Sequence, residues 1–382
     1  MSVTAAKGFE ASGVEAGLKS SGGLDLALVV NRGPLANAAA VFTSNRALAN
    51  PIIWSKQVIL DGTVSAIVLN SGGANCFTGS QGFQVTHATA EAVGAALDVS
   101  AGDVLVCSTG LIGEQLPLEK LLPAVAAAAA ALGDHGDEAS TAIMTTDSKP
   151  KRSIRHGNGY TIGGMAKGAG MLAPGLATML VVITTDVVLS SAELDIALRS
   201  ATRMSFDRLD SDGCMSTNDQ VSLLASGASG IKPQPGDFVE LLTEVCLDLA
   251  EQLQGDAEGA SHDIHIEVTG AATEDDAVKV GRSIARNNLF KAAIFGNDPN
   301  WGRVLAAIGT TDAAFDPYDV DVSMNGVRVC HLGAPDRPRT EVDLTGRRVD
   351  LLLNLKSGSA TATILTNDLT HEYVHENSAY SS

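Results

Sequence analysis

Residues 156–189 read HGNGYTIGGMAKGAGMLAPGLATMLVVITTDVVL, and the two halves of that stretch ask for different structures. From His156 to Pro174 there are six glycines, which give loop freedom and let other groups approach the backbone closely. From Thr178 to Leu189 the residues are nearly all apolar or β-branched, the pattern of a buried strand. Thr178 stands at the junction. A threonine hydroxyl needs a base to act as a nucleophile, and a cut in front of Thr178 would free an α-amino group of pKa about 8 to be that base. The small Ala177 and the Pro174-Gly175 turn would let Oγ attack the Ala177 carbonyl in an N-to-O acyl shift, after which water would split the ester. Spacing alone favours the ordinary alternative, a threonine that simply opens a strand.

Working outward, Leu26 to Val30, Ala39 to Phe42 and Ser65 to Leu69 are short apolar runs bounded by Gly, Asn and Pro, and are expected as strands. Helices are expected at Gln84 to Leu97 and at Pro123 to Leu132, the latter opened by its proline and, being nearly all alanine, buried on several sides. Past the central strand come helix patterns at Ala192 to Arg203, Asp237 to Gln254 and Thr273 to Asn288. The C-terminal runs Val320 to Val329, Arg348 to Leu355 and Thr361 to Thr366, with turns at Asn325-Gly326 and Ser357-Gly358, read as paired antiparallel strands. This mixture argues for α+β layers and against a regular βαβ array.

Composition narrows the function. With 45% hydrophobic and 18% charged residues in 382, the chain has material for a large core and little that resembles disorder. The 26 basic and 44 acidic residues leave a charge of −18, which would repel a phosphate backbone or an anionic bilayer, so neither nucleic acid nor a membrane is expected as a partner. Five scattered cysteines, with no CxxC pair, suit reduced thiols. The first 23 residues lack the apolar run of a secretory signal, so a cytoplasmic location is expected.

Other clusters carry residues suited to chemistry. Cys107-Ser-Thr-Gly-Leu-Ile-Gly113 follows the strand Asp103 to Val106, and a strand ending in Ser-Thr-Gly can aim N–H groups and a hydroxyl at an oxyanion, or merely turn into a helix. Cys107 has no histidine nearby in sequence to activate it. Thr145-Thr146-Asp147 is a polar island that fits a substrate contact or a turn, and Asn297 to Arg303 a polar loop with an aromatic. Arg203 to Asp219 misses the calcium-loop pattern for want of its terminal glutamate. His371 and His375 stand four apart with no evident helix to align them, so no metal is expected. The glycine-rich GGMAKGAG lacks both nucleotide-loop patterns.

Seven strings in order, NSGGANC from Asn70, CSTGLIGEQLP from Cys107, MTTD from Met144, KGAGMLAPGLATML from Lys167, STND from Ser216, DPNWGR from Asp298 and the terminal ENSAYSS, resemble the ornithine acetyltransferase family of arginine biosynthesis. That family is also called the bifunctional glutamate N-acetyltransferases, and the resemblance covers nearly the whole chain. It implies a layered αββα sandwich like that of N-terminal nucleophile hydrolases, and cleavage between Ala177 and Thr178. The pieces would be an α-chain, 1–177, and a β-chain, 178–382, assembled as α2β2. Thr178 would take the acetyl group of N-acetylornithine and pass it to glutamate in a ping-pong exchange. Matched by motif, Thr109 and Gly110 would form the oxyanion hole. Thr146, Lys167, Glu258, Asn377 and Ser382, with Thr178, would bind substrate, Lys167 facing a carboxylate and Glu258 an ammonium. No cofactor is implied, and acetyl-CoA is left open as a co-substrate. Gly73 departs from the family string, which commonly has asparagine there.

Two other readings use the same residues differently. An N-terminal nucleophile amidohydrolase or aminopeptidase would give the acyl group to water. An acidic binding protein for basic amino acids would stay uncut.

Overall fold

The computed structural model describes residues 2–173 and 179–379, and three sheets form among them. The first runs β1 (Phe9–Val14), β2 (Leu26–Asn31), β4 (Ala66–Asn70) and β5 (Val104–Ser108), antiparallel except for the parallel pair β4/β5. The second holds β3 (Asn37–Phe42), β9 (Gln220–Ala225), β8 (Leu180–Thr185), β7 (Thr161–Lys167) and β6 (Lys151–His156), in that order across the sheet. Only β8/β9 is parallel there.

These two sheets pack face to face. Alternate residues, Ala27, Val29, Ile67, Leu69 and Leu105, meet Met165, Leu180, Val182 and Leu224 of the other sheet. The opposite register of the first sheet, Leu28, Val68, Val104 and Val106, lies against α2 (Gly79–Leu97) and α3 (Leu118–Ala130). The second sheet turns Ile162, Val181, Ile183 and Leu223 toward α5 (Ser191–Met204) and α6 (Pro235–Gln254). Helix, sheet, sheet and helix therefore stack as an αββα sandwich, as expected, and strands buried on both faces read as unbroken apolar runs for that reason. The short helices α1 (Asn50–Val58) and α4 (Gly136–Ala142) close the two edges of the first sheet beside β5 and β1.

A third sheet, beyond the sandwich, is built from later residues: β10 (Asp263–Ala271), β11 (Asp321–Met324), β12 (Val327–His331), β13 (Ala334–Pro335), β14 (Arg348–Asn354) and β15 (Ala360–Asn367). Their order is β13-β12-β11-β14-β10-β15. One face packs on α7 (Glu274–Ala285), α8 (Asn288–Phe295) and α9 (Trp301–Ile308), while β14 alternates buried and exposed residues. Gln254 fastens this sheet to α6 by donating to the Ile264 and Thr366 carbonyls.

Several elements differ from the sequence expectations. The alanine helix begins at Leu118, so Pro123 lies inside it, and only Leu121, Ala124, Val125 and Ala128 are buried: one face, not several. Much of the glycine-rich stretch is strand β7, where Gly163 lies so close beneath Ser2 that a side chain would strike its carbonyl. The strands at Arg348 and Ala360 do not pair with each other, because β10 runs between them, parallel to β14 and antiparallel to β15. Val320 to Val329 is a hairpin, folded at Asn325-Gly326. The Asn297 to Arg303 segment starts α9, with Asn300 accepting from the Arg303 N–H as its cap. A helix does form at the two histidines, α10 (His371–Ala379), yet no His, Cys, Asp or Glu cluster able to hold a metal occurs among the described residues. No helix among those residues is long and apolar enough to cross a membrane.

Candidate active site

The ends of four strands converge at one end of the sandwich. β5 leads into Thr109 and Gly110, β7 ends at Lys167, β8 starts one residue after Met179, and β9 starts after Asp219. Register sets this up, since Lys167 pairs with Leu180 and Leu180 with Gln220. Asn218 ties the sheets together by donating from Nδ2 to the Ser108 and Ala74 carbonyls.

Lys167 is 1% exposed. Its Nζ donates to Thr109 Oγ1 at 3.2 Å and to Thr145 Oγ1 at 2.8 Å. Burial lowers its pKa, opposed by the charges of Asp147, Glu258 and Asp219. Asp147 collects the Gly168 N–H at 2.6 Å, the Thr145 N–H at 3.0 Å and the Lys151 Nζ at 2.5 Å. Burial works against its ionisation, but Lys167, Lys151 and the Gly168 N–H together hold its carboxyl down at about 2. The pair Asp147 and Lys151 is fully buried, and Lys151 also donates to Asp256 at 2.6 Å.

The turn after β5 is a close backbone crossing. Gly110 has φ +125°, and a side chain there would come within 2.8 Å of the Gly73 nitrogen. This contact with the Gly72-Gly73 backbone explains the glycine at 110. Thr109 N–H is taken by the Asn70 carbonyl, whereas Gly110 N–H has no partner among the described residues. A side chain at Gly73 itself would meet only the tip of Leu116, at 3.0 Å, so space does not demand glycine at this departure from the family string.

Glu258 lies in the turn between α6 and β10, its N–H bonded to the Ala169 carbonyl at 3.0 Å. Gly170 leaves room for it, since a Cβ there would sit 2.6 Å from the carboxylate. Asn377, on α10, donates to Glu258 Oε2 at 3.0 Å. Beside them opens a cavity of about 430 Å³, lined by Ala169, Asp212, Glu258, Lys291, Asn367 and Tyr373. Burial pushes the Lys291 ammonium down to about 8, against the nearby Asp212 and Asp210. The Asp212 carboxyl is pushed up to about 6 by its own burial.

Of the residues singled out in the sequence, Thr109, Gly110 and Lys167 come together, and Glu258 and Asn377 form a second group reached through Ala169. Thr146 is half-buried and stands outside the Lys167 network, which its neighbours Thr145 and Asp147 enter instead. Ala177, Thr178 and Ser382 lie outside the described residues. Cys107 is buried, and burial drives its thiol pKa up, which suits packing and not nucleophilic attack. Asp147, Asn218 and Asp219 enter the site without a role expected from the sequence, although the MTTD and STND strings contain them. For Asn218 and Asp219 the signal available was an amide and an acidic side chain at the mouth of the apolar strand β9, and for Asp147 the lysine four residues on.

A profile of the ArgJ family matches residues 10–382. The chain is 63% identical over 383 residues to the arginine biosynthesis bifunctional protein ArgJ of Streptomyces coelicolor, covering 100% of both. It is 60% identical to the corresponding protein of Thermobifida fusca over the same span, again with 100% of each covered. Among solved structures it is similar to an ornithine acetyltransferase of Mycobacterium tuberculosis complexed with ornithine. That match has 53% identity and TM-score 0.45, over 47% of this chain and 96% of that one. Matched along its whole length at such identity, the chain belongs to the ArgJ family, a family of acyltransferases of arginine biosynthesis.

Proposed function

We propose that the chain cuts itself between Ala177 and Thr178, into residues 1–177 and 178–382, and that Thr178 then carries an acetyl group from N-acetylornithine to glutamate. The Thr178 α-amine takes the Oγ proton, Oγ attacks the acetyl carbonyl, and ornithine leaves with a proton returned to its nitrogen. Glutamate's amine then attacks the acetyl-threonine ester and departs as N-acetylglutamate. No cofactor enters this cycle.

The observation that carries this reading is the bond from Lys167 to Thr109. Because Thr109 Oγ1 accepts from the ammonium, its own proton is left to donate, beside a Gly110 N–H that no described residue uses. Two donors at the end of β5 suit an oxyanion, in surroundings where burial strengthens each hydrogen bond. Lys167 has two of its three protons committed to threonines and keeps one for a substrate carboxylate. Glu258, held by Asn377, suits the substrate ammonium, and the adjoining cavity suits the remainder of a small amino acid. Thr146 and Ser382 complete the proposed substrate contacts, and the cut chains are proposed to assemble as α2β2 in the cytoplasm.

Denaturing mass measurement with N-terminal sequencing tests the cut: two chains are expected, the second starting at Thr178-Met179-Leu180. Incubation with N-acetylornithine and glutamate should yield N-acetylglutamate. Free acetate in its place would identify the amidohydrolase, and faster turnover with acetyl-CoA would make that thioester the main donor. Transfer by an uncut chain, or by Thr178→Ala, would overturn the role of Thr178.

A further inference from the structure

Asp219, at this end of the sandwich, is 0% exposed. One carboxyl oxygen, Oδ1, accepts from the Met179 N–H at 3.0 Å. The other, Oδ2, is buried and makes no hydrogen bond of ordinary length among the described residues, although the Ser216 and Thr43 hydroxyls face the carboxyl. Buried polar atoms are almost always paired, because an unpaired one carries its full desolvation cost in the folded state. An acceptor needed only for the Met179 N–H could be an asparagine, whose spare amide would find a carbonyl, or a serine with no second oxygen. Retaining a carboxyl with one idle oxygen implies that the oxygen has work during some step absent from the resting fold.

Chain connectivity says where that step would be. Met179 follows Thr178 directly, and adjacent backbone nitrogens lie at most about 3.6 Å apart. Asp219 is thus bonded to the nitrogen one residue past the proposed scissile peptide. Self-cleavage needs an acid at that place, since the Thr178 nitrogen leaves a tetrahedral centre as an amine and must be protonated to leave. We infer that the Asp219 carboxyl is the acid that protonates the Thr178 nitrogen as the Ala177–Thr178 peptide bond breaks.

The step balances. Thr178 Oγ bonds to the Ala177 carbonyl carbon, the carbon–nitrogen bond breaks, and the nitrogen takes the Asp219 proton. The proton released from Oγ restores the acid, so the net change is an acyl group moved from nitrogen to oxygen and a proton moved from oxygen to nitrogen. Water then cleaves the ester, giving the Ala177 carboxylate and the free Thr178 hydroxyl. Burial keeps Asp219 in its acid form well above the usual carboxylate range, more strongly than the Met179 N–H, the Ser216 hydroxyl, the Lys167 ammonium and the Thr43 hydroxyl favour its anion. The inference rests on the proposed cut at Thr178.

Asp219→Asn tests it, because asparagine keeps an oxygen for the Met179 N–H and removes only the proton. Freshly purified chains would be followed by denaturing mass over hours, with thermal melting to show that each is folded. The 382-residue precursor is expected to persist in Asp219→Asn, its cleavage slowed about a hundredfold, the scale of one lost general acid. Asp219→Glu, which retains the acid, should cleave faster than the asparagine variant. Wild-type cleavage by Asp219→Asn would overturn the inference, and so would a folded Asp219→Glu that cleaves no faster than it. A wild-type chain that is never cut would instead remove the reading of Thr178 itself.

Discussion

Thr109 is the residue on which proposed chemistry and observed geometry meet most directly. Removing its hydroxyl takes away one oxyanion donor and leaves Lys167 Nζ one acceptor short. Thr109→Ala should therefore lower kcat by roughly a hundredfold with little change in KM, and Thr109→Ser should recover most of it. Steady-state transfer assays on the cut enzyme would show this, and an unchanged kcat in the alanine variant removes Thr109 from the site. Asp147 has a separate role, in stability. Its folded pKa of about 2 lies below the unfolded value of 3.8, so its contribution is full above pH 4 and is lost as pH falls through 2. That linkage amounts to roughly 2 kcal/mol at neutral pH. Asp147→Asn should destabilise by about 2–3 kcal/mol at pH 7, because it removes the buried anion that faces Lys167 and leaves Lys151 with Asp256 as its carboxylate partner. Urea unfolding at pH 7 and pH 3 checks both, with the gap between variant and wild type expected to narrow at the lower pH.

Elements were legible where local pattern decides them. The capping box of Ser190 with Glu193 opens α5 within a residue of the expected start, and the helix expected from Asp237 to Gln254 matches α6 but for its first two residues. Strand partners were less legible, since β10, β14 and β15 are joined by a ladder order that no local signal encodes. The glycine stretch misled for a related reason. In β7 the glycines serve close packing, Gly163 under Ser2 and Gly164 against Leu249, and glycine chosen for a neighbour looks the same in sequence as glycine chosen for a loop. Gly170 carries a testable version of this. A methyl group there would press on the Glu258 carboxylate at 2.6 Å, while Gly170 does not have the left-handed φ that would strain alanine by itself. Gly170→Ala should consequently raise KM for the amino-acid substrates about tenfold, with a melting temperature close to that of the wild type. A KM unchanged in a folded variant would show that Glu258 can be displaced without loss and does not grip the substrate.

At the scale of the molecule, the unbroken apolar runs left by both-face burial made α+β layers legible. The αββα order and the joining of Lys167 and Thr109 in one site came from the family resemblance, and the place of Asp219 beside them from neither. Those three come from separate strands, and the register that brings their ends together is set by pairings such as Lys167 with Leu180 and Leu180 with Gln220. The same ladders bear on what a cut at Thr178 would do. β3, β6 and β7 precede that point and β8 and β9 follow it, so the second sheet is woven from both pieces, with β7/β8 and β3/β9 as the seams. Each seam is buried on both faces, between the first sheet and α5 and α6. Separating the pieces would expose both cores and unpair two strand ladders, far more than a surface association loses. The two chains should therefore co-purify and stay together on dilution to nanomolar concentration, as native mass measurement would show. They should also unfold together in urea, in a transition whose midpoint is the same by fluorescence and by circular dichroism. Release of a folded piece ending at Ala177, at concentrations below a micromolar, would mean that the sheet is not the joint seam that its strand order requires.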